Sequence, residues 1–385
     1  MNMTKAMREE PGDRAFMARA LLLAESGRGR VSPNPMVGAV VVKDGRIVGE
    51  GFHAKAGAPH AEVEALERAG GAAQGATLYV TLEPCCHYGR TPPCAPRIVQ
   101  SGVRRVVVAT PDPNPRVTGS GLAHLQEAGV ETAVGVLEPE AVRLNEVFFA
   151  YMTCGRPFVT LKAAVSLDGK IATVAGESRW ITGEAARRRV HEMRNEVDAV
   201  LVGIGTVLRD DPLLTTRLGT PGQRDPMRVI VDNLARLPVR ARVINPASRA
   251  PTVVAVGPKA PDYKVERLRE AGATVLVPPK SSRRVSLAGL MEALAAREVS
   301  SVLIEGGAEI HASALAEGIV DKVAFFVAPI LIGGSTAPSA VGGPGIEKLA
   351  DAIRLRDVRF IPLDQDLLVE GYVGRSPGVP SCSPA

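Results

Sequence analysis

Residues 77–94 read T-L-Y-V-T-L-E-P-C-C-H-Y-G-R-T-P-P-C. The apolar run Thr77–Leu82 has the length and residue types of a buried strand, and it leads through Glu83 and Pro84 into Cys85. A helix is expected from about Cys94 to Ser101, so two cysteines nine positions apart bracket a loop. Upstream, Pro59-His60-Ala61-Glu62 opens a helix expected over Ala61–Ala69. One imidazole and two thiolates, from His60, Cys85 and Cys94, form a three-donor zinc set. Three protein donors leave the fourth tetrahedral position open for water, as catalytic zinc sites do, and the metal lowers the pKa of that water to about 7. Positions two apart do not share a helix face, which places His60 at the helix start and Glu62 in its first turn beside the water. If a helix begins at Cys85, its N-terminal dipole favours the thiolate. The alternative is a closed structural site with Cys86 or His87 as fourth donor, although two adjacent cysteines seldom reach one ion.

Short Val-rich runs flank this stretch. Strands are expected at Gly38–Lys43, Val48–His53 and Arg105–Thr110, with helices at Arg14–Ser26 and Pro139–Met152. Helices between short buried strands imply an α/β sandwich with some parallel pairing. At about 150 residues per domain, 385 residues suggest two or three domains. Cys154-Gly155-Arg156-Pro157 breaks the pattern, and a new strand begins at Phe158. The second half alternates again. Strands are expected at Phe158–Ala163, Ala199–Val202, Arg228–Val231, Thr252–Val256, Thr274–Val277, Ser301–Ile304 and Lys322–Ala328. Helices are expected at Gly183–Arg194, Tyr263–Ala271, Leu287–Arg297 and Ile310–Glu317. The Pro/Ser/Gly-rich residues 375–385 read as a disordered tail.

Composition narrows the function classes. The net charge of +5 is small and spread along the chain, which suits an anionic small molecule better than a duplex. An aromatic content of 4% leaves few platforms for stacked bases. Five cysteines do not make a disulfide framework, the charged N-terminus lacks a signal-peptide core, and no apolar run approaches a membrane span. A cytoplasmic chain with a local Cys/His cluster is the expectation.

Zinc deaminases carry H-x-E followed by P-C-x-x-C, with the glutamate as proton shuttle. Here H-A-E and P-C are present, but the second cysteine is displaced. A longer loop between the ligands, carrying Cys86, His87 or Arg90 to the substrate, is one explanation. In the second half, Gly203-Ile204-Gly205-Thr206 follows a strand but lacks the third glycine of a dinucleotide fingerprint. Glu305-Gly306-Gly307-Ala308, between a strand and a helix, could bring backbone N–H groups to a phosphate or form a plain tight turn.

The motifs P-N-P-M-V-G-A-V (33–40), H-A-E (60–62) and T-L-E-P-C-C-H-Y-G-R-T-P-P-C (81–94) resemble the bifunctional deaminase–reductase family of riboflavin biosynthesis. The likeness continues through D-P-N-P (112–115), K-A-A-V-S-L-D-G-K (162–170), G-E-S-R-W-I-T (176–182), G-T-V-L-R-D-D-P (205–212) and I-E-G-G (304–307). The long cysteine spacing is that family's own form of the motif. The resemblance implies a cytidine-deaminase-like three-layer domain over residues 12–153 and a dihydrofolate-reductase-like α/β domain over 157–374. The first would deaminate 2,5-diamino-6-(5-phosphoribosylamino)pyrimidin-4(3H)-one with one zinc per chain. The second would reduce the ribosyl side chain of 5-amino-6-(5-phosphoribosylamino)uracil to ribityl with NADPH.

Residue by residue, the resemblance carries the metal onto His60, Cys85 and Cys94, the proton shuttle onto Glu62, and substrate contacts onto Asn34, His53, His87 and Arg90. Ala164, Trp180, Thr206, Asp210 and the run Gly307, Ala308, Glu309, Ile310, His311, Ala312 and Ser313 would contact NADPH. Ser178, Arg194, Leu214, Arg217 and Glu305 would contact the reductase substrate, with Arg194 and Arg217 suited to its phosphate. Asp210, Glu305 and solvent are the candidates for the proton donor. The expected partner is this phosphorylated ribotide, not nucleic acid or membrane, and the chain is expected to be a homo-oligomer. Two rival readings are a base deaminase with an unrelated second domain and a non-catalytic nucleotide binder with a four-ligand zinc.

Overall fold

The computed structural model describes residues 10–88, 91–114, 117–244 and 248–374. The chain divides into two compact units, with the cut between Cys154 and Gly155.

In the first unit, helix α1 (Asp13–Ala24) precedes a hairpin of β1 (Gly38–Lys43) and β2 (Arg46–Phe52). Helix α2 (Ala61–Ala69) and strand β3 (Thr77–Val80) follow, then α3 (Cys94–Gln100) and β4 (Arg105–Val108). The unit ends with α4 (Ser120–Glu127), β5 (Glu131–Val134), α5 (Glu138–Leu144) and α6 (Glu146–Cys154). The five strands lie in the order β2-β1-β3-β4-β5. β1 is antiparallel to both neighbours, and β3, β4 and β5 run parallel. The two-residue strand period gives β1 two apolar faces. Ala39 and Val41 pack with Ala61, Ala65, Ile98 and Leu125 on one side. Val40 and Val42 pack with Met17, Ala20 and Ala141 on the other. Helices thus cover both faces, which makes three layers.

Two close approaches fix the elements that carry the chemistry. A Cβ at Gly51 would lie 2.4 Å from the Ala61 carbonyl, so β2 and the start of α2 meet backbone to backbone. A Cβ at Gly121 would lie 1.9 Å from the Pro84 carbonyl, which seats α4 on the segment entering Cys85.

The second unit opens with β6 (Phe158–Ser166), α7 (Glu184–Glu196), β7 (Ala199–Gly203) and α8 (Ile204–Asp210). Next come β8 (Met227–Val231), β9 (Thr252–Ala255), α9 (Asp262–Glu270), β10 (Thr274–Leu276) and α10 (Leu287–Ala295). β11 (Ser301–Gly306), α11 (Ala308–Ala316), β12 (Lys322–Ala328), β13 (Leu355–Leu363) and β14 (Asp366–Val373) complete it. The nine-stranded sheet has the order β10-β9-β8-β7-β11-β6-β12-β14-β13. It is parallel from β10 to β12, and β14 is antiparallel to both β12 and β13. α10 packs Leu287, Leu290 and Leu294 on one face, and α8 and α9 pack Val207 and Leu268 on the other. The tail assigned to residues 375–385 lies outside the described residues.

Candidate functional site

His60 is the N-cap of α2, and its carbonyl accepts from Glu64 N at 3.2 Å. The side chain therefore swings from a fixed backbone. Cys94 is the first residue of α3, and Ala95 N donates to the Cys85 carbonyl at 3.0 Å. No helix begins at Cys85, so no helix dipole acts on its thiolate, and the helix expected from about Cys94 is α3. β3 ends at Val80, and Pro84 and Cys85 follow in irregular backbone. What fixes that segment is Glu83, whose buried carboxylate accepts from Gly119 N and Gly121 N at 3.0 Å and from Leu122 N at 3.3 Å. One acid side chain thus satisfies the orphan amides of the α4 N-terminus and anchors the approach to Cys85.

The ligating atoms of His60, Cys85 and Cys94 all lie within 4.8 Å of one another. His60 Nδ1 is 3.1 Å from Cys94 Sγ and 3.6 Å from Cys85 Sγ. Hydrogen bonding to Cys94, together with His60, brings the Cys85 thiol down to about 4 against the effect of burial. The Cys94 thiol is pushed up by its bond to Cys85, by burial and by Glu62. Glu62 is 3% exposed. Burial raises its pKa, and the Cys85 charge adds to that effect. Two sulfurs and a carboxylate crowded in low dielectric need a dication before both thiols can ionise together. The donor set, imidazole plus two thiolates, is one that zinc takes. Neither Cys86 nor His87 joins the cluster among the described residues: the Cys86 thiol donates to Ser120 Oγ at 3.1 Å, and His87 is exposed.

Asn34 Nδ2 lies 3.1 Å from His53 Nε2, and His53 Nδ1 donates to the Pro59 carbonyl at 3.1 Å. The two expected substrate residues thus form one chain beside His60, whose ring is edge-on to His53 with centroids 5.3 Å apart. Burial lowers the pKa of His53, and the bond to Pro59 only partly opposes it. His53 is therefore a neutral ring that fixes Asn34. Arg90 lies outside the described residues.

In the second unit, Glu305 on β11 and Arg194 on α7 form a two-pronged ion pair, with Nε to Oε1 at 2.5 Å and Nη2 to Oε2 at 2.7 Å. Arg194 Nη1 also donates to the Thr215 carbonyl at 3.0 Å. Burial opposes ionisation of Glu305, but the Arg194 guanidinium and Lys162 outweigh it and hold the carboxyl below its ordinary range. Lys162 on β6 faces this pair, and burial lowers its own pKa. His191 lies 3.4 Å from Arg217 Nη2. Burial, Arg194 and Arg217 together take His191 down to about 4, so it is neutral at ordinary pH.

β11 runs to Gly306, and Gly307 caps α11 at φ +92°, a conformation glycine adopts readily. A Cβ at Gly306 would meet Thr206 Oγ1 at 3.2 Å, so Thr206 and the glycines share one corner. His311 donates through Nδ1 to the Ala340 carbonyl at 2.8 Å, and its buried Nε2 has no hydrogen-bond partner among the described residues. Trp180 is 68% exposed, with the Arg187 guanidinium 4.7 Å from its ring centroid, so it is not a core residue. Asp210 enters through its carbonyl, which accepts from Arg179. Leu214 is buried at φ +54°. Ala164 is half-buried on β6 and Ser178 is half-buried in the loop that follows. Thr91, Lys162 and His191 were not singled out from sequence, because each matters through a contact between segments far apart in the chain.

The family model described as the RibD C-terminal domain matches residues 157–369. That described as the cytidine and deoxycytidylate deaminase zinc-binding region matches residues 11–110. The riboflavin biosynthesis protein RibD of Aquifex aeolicus is 46% identical over 357 residues, covering 93% of this chain and 97% of that protein. The chain belongs to the RibD family. The Escherichia coli RibD is 42% identical over 93% of this chain and 99% of its own. A solved Acinetobacter baumannii RibD superposes with TM-score 0.84 at 41% identity, covering 94% of this chain and 99% of that one. The Thermotoga maritima structure described as a diaminohydroxyphosphoribosylaminopyrimidine deaminase/5-amino-6-(5-phosphoribosylamino)uracil reductase superposes with TM-score 0.81 at 40% identity, with coverage of 94% and 99%. RibD is the bifunctional deaminase and reductase of riboflavin biosynthesis, a hydrolase joined to an oxidoreductase, and both domains are present here. The fold class read from sequence agrees with these RibD structures.

Proposed function

We propose that residues 12–153 hydrolytically deaminate 2,5-diamino-6-(5-phosphoribosylamino)pyrimidin-4(3H)-one, with His60, Cys85 and Cys94 holding zinc. Residues 157–374 then reduce the ribosyl side chain of 5-amino-6-(5-phosphoribosylamino)uracil to ribityl with NADPH. The observation that carries this reading is the three-donor cluster with the buried Glu62 carboxylate alongside it. When bound, zinc supplies the Lewis acidity that lets water act as a nucleophile near neutral pH. Glu62 takes the water proton at its carboxylate and returns protons to the ring nitrogen and the departing amine. The raised pKa of this carboxyl suits a group that must hold a proton between those events. Asn34, held through Nδ2, keeps its Oδ1 for a pyrimidine N–H.

In the reductase unit, NADPH supplies the hydride. The Gly306–Gly307 corner, the α11 N-terminus and the orphaned Nε2 of the 3%-exposed His311 offer donors to an anionic cofactor. Arg194 is committed to Glu305 and Thr215, which leaves Arg217 as the freer guanidinium for the substrate phosphate. Glu305, held ionised, orients Arg194 and Lys162 around the sugar and accepts hydroxyl hydrogen bonds.

The test is to supply the diaminopyrimidine ribotide and follow ammonia and NADPH together. Ammonia release should precede NADPH consumption. A strong chelator should stop ammonia release while reduction of supplied deaminated pyrimidine continues. Loss of both activities under mild chelation would overturn the assignment of two separable sites.

The partner is the phosphorylated ribotide, with neither nucleic acid nor membrane, and the chain works in the cytoplasm. The small net charge supports this, as does the fact that no helix among the described residues is long and apolar enough to cross a membrane. The chain also works as a homo-oligomer through the outer edge of β13. Leu355, Val358 and Phe360 are exposed on that edge strand, Phe360 at 66%, and such an edge calls for cover. Phe360→Asp should shift sedimentation toward a smaller species. An unchanged sedimentation coefficient would remove β13 from the interface.

A further inference from the structure

We propose that Thr91 is a positioning residue for the metal centre: its hydroxyl accepts the Nε2–H of His60 and so presents the Nδ1 lone pair to the two cysteine sulfurs. The proposal rests on the zinc site assigned above and adds to it a residue outside the donor set.

The argument begins with the imidazole itself. A neutral ring carries one proton, on one nitrogen or the other, and only the bare nitrogen can bind a metal. His60 Nδ1 faces Cys94 Sγ at 3.1 Å and Cys85 Sγ at 3.6 Å, so Nδ1 is the nitrogen that must be bare. The proton then sits on Nε2, which is 2.9 Å from Thr91 Oγ1. A hydroxyl can accept there. With the acceptor removed, the partly buried N–H loses its hydrogen-bond partner among the described residues, and the tautomer with the proton on Nδ1 gains ground. That tautomer would aim an N–H at the sulfurs and exclude the ion.

The geometry around the ring leaves this task to Thr91. The His60 backbone is fixed as the α2 N-cap, and the His53 ring stands edge-on to one side of the imidazole. Glu62 is in the first turn of α2 and raises the pKa of the Cys94 thiol, whereas the contact at Nε2 is made by Thr91. Thr91 reaches the far side of the ring because it belongs to the segment between the two cysteines. Pro93 caps α3 in extended backbone (φ −65°, ψ 143°) and Cys94 follows as the first helical residue. The Pro92-Pro93 pair is therefore a stiff spacer that sets Thr91 three residues before the ligand.

This accounts for the cysteine spacing. A Cys-x-x-Cys link has only two residues between its ligands, whereas the nine-residue spacing here leaves room for Thr91, whose hydroxyl lies against His60 Nε2. The chemistry of the acceptor matters as well. Two thiolates already balance a dication, and Glu62 adds a negative charge. A neutral hydroxyl orients the ring without adding another anion, which preserves the Lewis acidity that deamination needs.

The test uses the full-length protein and measures zinc affinity by competition with a chromophoric chelator. Thr91→Val keeps the β-branched shape and removes the hydroxyl. It should weaken zinc binding by about 10- to 100-fold. Thr91→Ser restores the hydroxyl and should bind within about threefold of the parent, and cobalt substituted into each variant should report any change in ligand geometry. Unchanged affinity in Thr91→Val, or equal losses in the valine and serine variants, would overturn the hydroxyl's role. Nitrogen-15 spectra of the zinc-loaded parent give a second readout independent of any variant: the His60 proton should reside on Nε2, and a proton on Nδ1 overturns the proposal. Cys94→Ser is the control for the underlying site. If it too binds zinc as tightly as the parent, the ligand assignment fails. If it loses zinc while Thr91→Val does not, only the role of Thr91 fails.

Discussion

Glu62→Gln is expected to slow ammonia release by about a hundredfold or more while zinc stays bound and reduction of supplied deaminated pyrimidine proceeds at the parental rate. Glutamine matches glutamate in shape, so α2 should keep its seat on β2. It cannot take a proton from water or return one to the departing amine, which removes both halves of the transfer. It also removes a negative charge from beside Cys85 and Cys94, which eases ionisation of the Cys94 thiol and so offsets the attraction for the dication that is lost. The measurement is a steady-state ammonia assay alongside zinc quantification and an NADPH-oxidation assay on the same preparation. Turnover within a few-fold of the parent would take Glu62 out of its role. Loss of zinc or of reduction would mean that the substitution acted on structure instead.

Arg105→Met should destabilise the first unit by about 3–5 kcal/mol, because it strands a carboxylate in the core. Arg105 and Asp13 are each 1% exposed at the side chain. Their two parallel bonds measure 2.9 Å and 3.0 Å, and Tyr79 Oη donates to the same carboxylate at 2.8 Å. Burial works to raise the Asp13 pKa, but Arg105, the Glu10 N–H and Tyr79 outweigh it and leave it below 3.8. A depressed carboxyl contributes stability that is fully present above its unfolded pKa and is lost as pH falls through the folded value. The native protein should therefore lose this contribution only below about pH 4, and Asp13→Asn should flatten that acid limb. Replacing both partners with apolar residues should recover much of the loss. Hydrogen exchange in β3 and β4 reads the first unit directly. A cost below about 1 kcal/mol for Arg105→Met would show that the pair is solvated and not a core element.

Much of the architecture was legible because burial writes itself into residue type. β1, α2 and β12 occupy the spans read from their apolar patterns. The helix read over Pro139–Met152 is instead α5 and α6. Asn145 interrupts it, because its side chain bonds to both main-chain atoms of Met36, at 2.8 Å and 2.9 Å. No local pattern announces a bond across that separation. α4 and β5 are short, and β5 mixes Glu131 with apolar residues, so neither shows a clear period. β13 was invisible for the opposite reason: most of its residues are exposed, and a strand without a buried face lacks the alternation that betrays one. The metal trio was readable from spacing and chemical type. Thr91, Lys162 and His191 were not, because threonine, lysine and histidine acquire meaning here only from what the fold sets opposite them.

The sheet of the second unit places its first-made strand near its middle. β6 is flanked by β11 and β12, which lie more than a hundred residues later in the chain. The first unit draws its whole sheet from residues 38–134 and is already translated before β6 emerges. During synthesis, then, β6 leaves the ribosome with both hydrogen-bonding edges bare and keeps them so until residues 301–328 arrive. A chain stalled or truncated before residue 301 would therefore leave β6 without either of its sheet neighbours, an exposed parallel edge of the kind that favours aggregation.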